Sequence, residues 1–170
     1  MNIDSYIRDV TDFPKKGIVF KDITPLLKDV EALKYTAKAL ADFIDDAAID
    51  IVVGMESRGF IFGPMLAEKL NAGFVPVRKP GKLPYNTINE SFALEYGSDT
   101  LEIHLDAIKE GDKVLIHDDV IATGGTARAV CKLVERLGGE VVQLNFLIEL
   151  EFLKGREQLK GYDIHSLLKY

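Results

Sequence analysis

The chain has 170 residues, of which 47% are hydrophobic and 28% charged, so it is expected to fold as one globular domain and not as a disordered or collagen-like protein. Its formal charge of −6 argues against a surface for nucleic acid or an anionic membrane. The single cysteine, Cys131, excludes an internal disulfide framework. No apolar run is long enough to span a bilayer and the N-terminus lacks a signal-peptide core, so we expect a cytoplasmic protein.

Three common catalytic patterns are absent from the sequence. The glycines contain no Gly-x-Gly pair, no P-loop pattern occurs, and no serine lies in a Gly-x-Ser-x-Gly elbow. Hydride transfer through a dinucleotide fingerprint, P-loop hydrolysis and nucleophile-elbow acyl transfer are therefore disfavoured.

Strand-like and helix-like segments alternate along the chain. Asp29 is a candidate cap for a helix with apolar residues at helical spacing. The later segments are read as strands over 49–53, 74–77, 113–116 and 140–148 and as helices over 59–70 and 126–137. This order is typical of βαβ units, so the sequence predicts one α/β domain over residues 1–170 with a mainly parallel sheet flanked by helices.

Two segments do not fit a minimal α/β core. Residues 1–28 contain breaks at 13–17 and 24–25, and residues 78–99 are rich in Pro, Gly, Asn and Ser and are read as irregular. Long loops of this kind are often lids or binding loops. The simpler alternative is a surface extension and a disordered hairpin.

The strongest chemical signal is the sequence VLIHDDVIATGGTA over residues 114–127. An apolar strand leads into two carboxylates, then into a small glycine-rich loop, then into a helix. Gly124 and Gly125 allow a tight turn and close approach to a ligand. The unpaired N–H groups at the helix start, with the Thr123 and Thr126 hydroxyls, would form a cradle for a phosphate.

Asp118 and Asp119 precede this cradle and would repel a phosphate unless they face another group. Sugar hydroxyls or a Mg²⁺ ion would satisfy them, and a phosphorylated ribose provides the hydroxyls beside the phosphate. If the strand continues through both residues, their side chains alternate in direction. The alternative is an Asp-rich turn that caps an ordinary helix.

The fourteen-residue motif resembles the 5-phosphoribosyl-1-pyrophosphate (PRPP) binding motif of the type I phosphoribosyltransferases. Further resemblance lies in residues 13–27, 56–60, 75–84 and 94–97, and the combination is similar to the members that use adenine. The resemblance implies a type I phosphoribosyltransferase fold with a small N-terminal hood over 1–28, an α/β core over 29–170 and a flexible lid loop at about 78–99. It also implies conversion of adenine and PRPP to AMP and pyrophosphate in purine salvage, with Mg²⁺, by a homodimer.

The resemblance assigns roles around PRPP. The 5′-phosphate would be held by Ala122, Thr123, Gly124, Gly125 and Thr126. Asp118 and Asp119 would hold the ribose hydroxyls and are the candidates to bind the Mg²⁺ that accompanies PRPP. The pyrophosphate would meet Ser57, Arg58, Arg78, Lys79 and Lys82. Arg78 is a candidate to reach the neighbouring subunit's site in a dimer. For Lys79 the alternative is a solvated charge on the protein surface.

The resemblance also assigns residues to base binding and to proton transfer. Val19, Phe20 and Lys21 would bind adenine through main-chain groups and a stacked ring, although Phe20 has the alternative of a plain core aromatic. Glu95 is the candidate general acid or base, Arg58 the second candidate catalytic residue, and Tyr96 part of the lid.

Two other functions remain open at this stage. The first is the same reaction with hypoxanthine, guanine or xanthine. The second is a non-catalytic PRPP-sensing regulator, although such proteins usually carry an added DNA-binding domain and 170 residues leave no room for one. The expected partners are therefore small-molecule substrates, with neither nucleic acid nor a membrane.

Overall fold

Residues 1–45, 47–93 and 97–170 are described by the computed structural model of the chain. Two compact units comprise residues 1–39 and 40–170. The first contains a 3₁₀ turn, two strands and one short helix, and helix α2 begins in it; in chain order these are Ile3–Tyr6, β1 (Arg8–Thr11), β2 (Val19–Asp22), α1 (Thr24–Lys28) and α2 (Val30–Ala41). β1 and β2 pair antiparallel.

The local structure of the first unit follows from its turn and capping residues. The Asp12 carboxylate accepts the Gly17 N–H at 2.6 Å and closes the predicted turn at residues 13–17. Asp29 accepts the N–H groups of Glu31 and Ala32 at 3.0 and 2.9 Å, so it caps α2 as the sequence predicts.

The second unit is built on a sheet of five parallel strands, in the order β4-β3-β7-β8-β9. The strands are β3 (Ile51–Met55), β4 (Gly73–Val77), β7 (Lys113–Ile121), β8 (Glu140–Glu149) and β9 (Ile164–Lys169). Helix α3 (Gly59–Lys69) follows β3, and helix α4 (Gly125–Arg136) follows β7. The mainly parallel α/β sheet predicted from the sequence is therefore confirmed.

The core lies on the middle strands of this sheet. Val52 and Val53 of β3, Ile116 of β7 and Leu144 of β8 are fully buried. Such continuous apolar runs are typical of parallel strands covered on both faces. Side chains of α3 and α4 complete the packing, among them Phe62, Leu66, Val130, Leu133 and Val134.

The segment predicted to be irregular over 78–99 contains a strand and the start of another. β5 (Thr87–Ala93) and β6 (Ser98–His104) pair antiparallel in a separate two-stranded sheet, so the irregular part is shorter than predicted. Ile88 and Phe92 pack against the core, whereas Pro80, Gly81 and Pro84 lie before β5. No helix in the described part of the chain is long and apolar enough to cross a membrane.

Candidate active site

Two neighbouring parallel strands bring most of the predicted site residues to one edge of the sheet. β3 ends at Met55 and leads into residues 56–58, while β7 ends at Ile121 and leads into residues 122–124. The two strands pair in parallel up to Gly54 and His117. Because parallel strands end at the same edge, the two loops meet there, where open α/β sheets bind ligands.

The predicted phosphate cradle has the required backbone form. Gly124 adopts a φ of +83°, which favours glycine, and α4 begins at Gly125. The first helical bond runs from the Arg128 N–H to the Gly124 carbonyl, so the N–H groups just before Arg128 have no carbonyl partner within the helix. A cavity of about 80 Å³ lies against Ala122, Thr123, Gly124 and Thr126.

The segment around Gly155, which is distant in sequence, packs against this loop. A Cβ on Gly155 would collide with the Ala122 carbonyl oxygen, and a Cβ on Gly124 would collide with the Gly155 carbonyl. Arg128 also donates to the Gln158 carbonyl at 2.8 Å. The sequence analysis did not identify Gly155, because nothing near it resembles a ligand-binding motif.

The acid pair lies on β7, which continues through both residues. Asp119 is 2% exposed, and its Oδ2 lies 2.7 Å from Arg58 Nε. Asp118 Oδ1 accepts the Asp119 N–H at 2.9 Å. Burial raises the pKa of both carboxyls, the charge of Asp119 raises the pKa of Asp118 further, and Arg58 acts to lower both.

A polar cavity of about 300 Å³ lies between the two loops. Its lining consists of Glu56, Ser57, Arg58, Asp118 and Asp119, and it therefore joins the predicted pyrophosphate loop to the predicted ribose acids. Gly59 allows this close approach, because a Cβ there would lie 2.8 Å from the His117 carbonyl oxygen.

The side chains of Arg78 and Lys82, two of the three predicted pyrophosphate cations from residues 78–82, bind the Glu56 carboxylate. Lys82 Nζ lies 2.5 Å from Glu56 Oε1, and Arg78 donates through Nε and Nη2 at 3.3 and 3.4 Å. The Lys79 N–H donates at 2.8 Å, but its ammonium pairs with Asp99 at 3.1 Å. Burial acts to raise the pKa of Glu56, yet the donors from Lys82, Lys79 and Arg78 lower it to about 2.

Glu56 was missed by the sequence analysis as a functional residue. An acid next to Ser57 and Arg58 carries no sequence signal that it contacts residues more than twenty positions away. The bridge between Arg78 and Glu102 and the pairing of β3 with β4 bring residues 78–82 back to the end of β3.

The end of β5 lies beside the phosphate loop. A Cβ on Gly125 would lie 3.4 Å from the Phe92 ring and 3.8 Å from the Ala93 carbonyl oxygen. Glu90 of the same strand contacts Lys132 Nζ at 2.8 Å and Arg136 Nη1 at 3.2 Å, which ties β5 to α4. Glu95 and Tyr96 lie outside the described residues.

The residues predicted to bind the base belong to the other unit. Val19, Phe20 and Lys21 lie in β2, where the half-buried Phe20 ring packs edge to face on Phe13 at 5.2 Å. Lys21 Nζ pairs with Asp9 at 2.7 Å.

His117 lies buried below the acid pair. Its Nδ1 is 2.8 Å from the side-chain oxygen of Asn145, whose Nδ2 donates to the Leu40 carbonyl at 3.1 Å. Burial lowers the pKa of His117 to about 4, so the ring is neutral near pH 7. The bond to Asn145 fixes the ring at Nδ1, and no residue was predicted to contact it from the sequence.

Comparison with known proteins places this geometry in a family. Residues 23–164 match the phosphoribosyl transferase domain. A relative from Christiangramia forsetii named adenine phosphoribosyltransferase is 65% identical, and the match covers 100% of this chain and 99% of the relative. The crystal structure of adenine phosphoribosyltransferase from Thermoanaerobacter pseudethanolicus is 55% identical, with a TM-score of 0.97 over 99% of this chain and 98% of that chain.

A third comparison includes bound ligands. The Saccharomyces cerevisiae adenine phosphoribosyltransferase, solved with an imino-altritol bisphosphate and adenine, is 42% identical, with a TM-score of 0.92 over 97% of this chain and 96% of that chain. The domain match covers most of this chain, and the relatives named adenine phosphoribosyltransferase match nearly all of it. The chain therefore belongs to the phosphoribosyltransferase family.

Proposed function

We propose that this protein is an adenine phosphoribosyltransferase, which converts adenine and PRPP to AMP and pyrophosphate in purine salvage. One observation carries the proposal: the glycine-containing loop at the start of α4, the acid pair and a polar cavity that includes Ser57 and Arg58 lie side by side at the ends of β3 and β7. The full-length similarity to adenine phosphoribosyltransferases supports the choice of adenine.

PRPP would bind along this edge of the sheet. The 5′-phosphate would occupy the cradle of residues 122–126, and the ribose hydroxyls would donate to Asp118 and Asp119. The pyrophosphate would lie against Ser57 and Arg58, with Arg78, Lys79 and Lys82 as further cations. The spacing of the two cavities along β7 supports this order, because Asp118 lines both of them.

The reaction would exchange one bond at the anomeric carbon for another. The bond from C1 of the ribose to the pyrophosphate oxygen breaks, and N9 of adenine forms the new bond to C1. Arg58 and the nearby cations would stabilise the negative charge that develops on the leaving pyrophosphate. Glu95 would take the proton that N9 loses, since an unprotonated base is needed to complete the bond.

Asp118 and Asp119 can supply only some of the ligands that a Mg²⁺ ion needs. Arg58 already engages one Asp119 oxygen, and the described residues contain no cluster of three or more His, Cys, Asp and Glu that could hold a metal. Mg²⁺ commonly binds one or two carboxylates together with substrate oxygens and water. Asp118 and Asp119 would hold it in that way, and the bound ion would neutralise charge on PRPP.

Val19, Phe20 and Lys21 would recognise adenine. Adenine offers a donor at C6 beside an acceptor at N1, and hypoxanthine and guanine reverse that pattern. A main-chain N–H and C=O pair therefore discriminates between them, because the wrong base leaves buried polar groups unpaired. The adenine bound to the Saccharomyces cerevisiae relative supports a base site in proteins of this fold.

A homodimer is the proposed assembly, and Arg78, a proposed pyrophosphate cation of its own subunit, is also the candidate to reach the partner's site. Within this chain Arg78 contacts Glu56, so a contribution to the partner would require that ion pair to open. Light scattering at micromolar concentration tests the assembly: a particle of twice the 18.9 kDa chain supports it, and a monomer contradicts it. A cytoplasmic location is proposed because charged phosphorylated substrates do not cross membranes unaided.

Product formation from adenine, PRPP and Mg²⁺ tests the reaction itself. The wild type is expected to release AMP and pyrophosphate in equal amounts. Asp119→Asn should reduce the rate by at least about a hundredfold, since it removes the charge beside the developing cationic sugar. Asp106→Asn, at an exposed carboxylate outside both cavities, is the matched control and should retain wild-type activity. Absence of AMP with the wild type would contradict the proposal.

A further inference from the structure

We infer that Glu56 is an internal counter-ion of the pyrophosphate site, which holds the cationic groups of Arg78 and Lys82 and competes with pyrophosphate for them. The inference rests on the proposed function, because it takes the cavity beside Arg58 as the place of the leaving group. It gives a role to a residue that lies within a segment of family resemblance but received no function from the sequence.

The position of Glu56 makes this competition direct. Glu56 is the first residue after β3, and it lines the same cavity as Ser57 and Arg58. Its side chain is 8% exposed, whereas the side chains of Arg78 and Lys82 are 33% and 48% exposed. The carboxylate thus lies at the inner end of the cluster, and the cations lie between it and solvent.

Glu56 occupies the donors that an incoming anion would need. Both carboxylate oxygens accept hydrogen bonds, and the three donor groups are Lys82 Nζ, the Arg78 guanidinium and the Lys79 N–H. Arg78 Nη1 is directed to the Lys82 carbonyl at 3.5 Å. Pyrophosphate therefore gains the full strength of these cations only if their bonds to Glu56 weaken or open.

The negative charge of Glu56 gives a second argument for competition with pyrophosphate. The pKa of Glu56 is lowered to about 2, so the carboxylate is ionised at every pH at which the enzyme would act. A buried anion beside an anion-binding cavity repels the ligand unless cations neutralise it. Replacing Glu56 with Gln removes the negative charge but keeps the length and one acceptor oxygen of the side chain.

The alternative role predicts the opposite change in pyrophosphate affinity when Glu56 is replaced. If Glu56 only holds residues 78–82 in place, its replacement by Gln would misplace Arg78 and Lys82, and pyrophosphate would bind more weakly. If Glu56 competes for the cations, the same replacement strengthens pyrophosphate binding. One binding measurement therefore separates the two roles.

Glu102→Gln provides the matched control. The Glu102 carboxylate accepts the Gly81 N–H at 3.1 Å, so it contacts the same loop through a backbone group. Its main chain forms the bridge to Arg78 and is unaffected by a side-chain replacement. The structure gives it no bond to the Arg78 or Lys82 side chains within the described residues, so its variant should bind pyrophosphate like the wild type.

The test is isothermal titration of pyrophosphate with Mg²⁺ into the full-length wild type, Glu56→Gln and Glu102→Gln, with AMP formation measured in parallel. We expect Glu56→Gln to bind pyrophosphate about tenfold more tightly, the effect of removing one competing charged hydrogen-bond partner. Affinity for AMP should be unchanged. Unchanged or weaker pyrophosphate binding by a folded Glu56→Gln protein would overturn the inference.

A second variant, Glu56→Asp, and the activity of the wild type make the titration result interpretable in every case. If Glu56→Gln does not fold, Glu56→Asp carries the test: its carboxylate is drawn back from Lys82, and pyrophosphate should bind about threefold more tightly. Weaker or equal binding by Glu56→Asp would then overturn the inference. A wild type that forms AMP while Glu56→Gln shows no gain rejects only the role of Glu56, whereas a wild type that forms no AMP rejects the proposed function.

Discussion

Arg58 Nε lies 2.7 Å from Asp119 Oδ2, so the loop after β3 and the acid pair on β7 are joined by one ion pair. Asp119 is almost completely buried, and burial raises the pKa of its carboxyl while Arg58 acts to lower it. Arg58 thereby helps to keep Asp119 ionised, and it also lines the cavity proposed for pyrophosphate. The charge state of the proposed ribose acids and the proposed leaving-group site are thus coupled through one side chain.

Removing Arg58 should move the acid limb of the pH–rate profile to higher pH. Arg58→Gln removes a cation that lowers the pKa of both Asp118 and Asp119, so protonation inactivates the pair at a higher pH. A shift of about one unit in the acid limb of kcat/KM for PRPP is expected, beside a general loss of rate. Lys109→Gln, which removes an exposed charge outside the site, should leave the limb in place. An unchanged limb in Arg58→Gln would contradict the coupling.

Gly155→Ala should weaken PRPP binding although Gly155 contacts no proposed ligand. The new methyl group would collide with the Ala122 carbonyl and displace the phosphate loop. Overpacking of this kind typically destabilises a protein by about 1–3 kcal/mol. We expect a lower melting temperature and a KM for PRPP at least about tenfold higher, with kcat less affected. Glu157→Ala, an exposed position in the same 3₁₀ turn, is the control, and a wild-type KM in Gly155→Ala would exclude the supporting role.

His117 should make the protein less stable as the pH falls. Its pKa is about 4 in the folded state and 6.5 ordinarily, so between these values the unfolded chain binds more protons and the free energy of unfolding decreases with decreasing pH. The full effect is about 3 kcal/mol, developed between pH 6.5 and 4.

Chemical unfolding at several pH values measures this effect. Asp118 acts in the opposite direction because its pKa is raised, so the wild type must be compared with His117→Leu, in which the contribution of Asp118 is retained. The slope against pH should differ between the two proteins in the window from 4 to 6.5. Equal slopes would show that His117 titrates normally in the folded protein.

Glu95→Gln should lower turnover much more than PRPP affinity. The reason is chemical: Gln cannot accept the N9 proton as the new bond forms, while the phosphate cradle and acid pair remain intact. Ala93 lies beside Gly125, so the chain leaves β5 close to the phosphate loop just before residue 94. Single-turnover rates and the dissociation constant of PRPP, measured on the same preparation, separate the two effects, and unchanged turnover would remove Glu95 from the mechanism.

The sequence predicts the parts of the fold that depend on local pattern. β3 is a continuous apolar run, β7 begins with one and β8 is mostly apolar, and α3 and α4 carry apolar residues and ends typical of helices, so all five were recognised. β5 was not, because Asn89 and Ser91 alternate with half-buried residues in a segment dominated by Pro and Gly. β9 received no prediction, because its apolar residues, Ile164, Leu167 and Leu168, do not alternate with its polar residues.

The candidate site in the structure includes residues that the sequence does not indicate, for a related reason. The phosphate cradle and the acid pair lie within fourteen consecutive residues, so their arrangement follows from one strand, one loop and one helix. Glu56 and Gly155 contact the site through residues distant in sequence, and neither has a local pattern that indicates the contact. Lys79 illustrates the same limit, since its ammonium pairs with Asp99 whereas the neighbouring cations turn to Glu56.

The most direct test of the central claim is nucleotide formation from PRPP and Mg²⁺ with adenine, hypoxanthine, guanine and xanthine supplied separately. We predict AMP from adenine, with a kcat/KM at least about a thousandfold above that for the other three bases, because a mismatched base leaves buried polar groups unpaired. Preference for another base would contradict the roles of Val19, Phe20 and Lys21. PRPP binding without product from any base would contradict catalysis itself and support a PRPP-sensing protein.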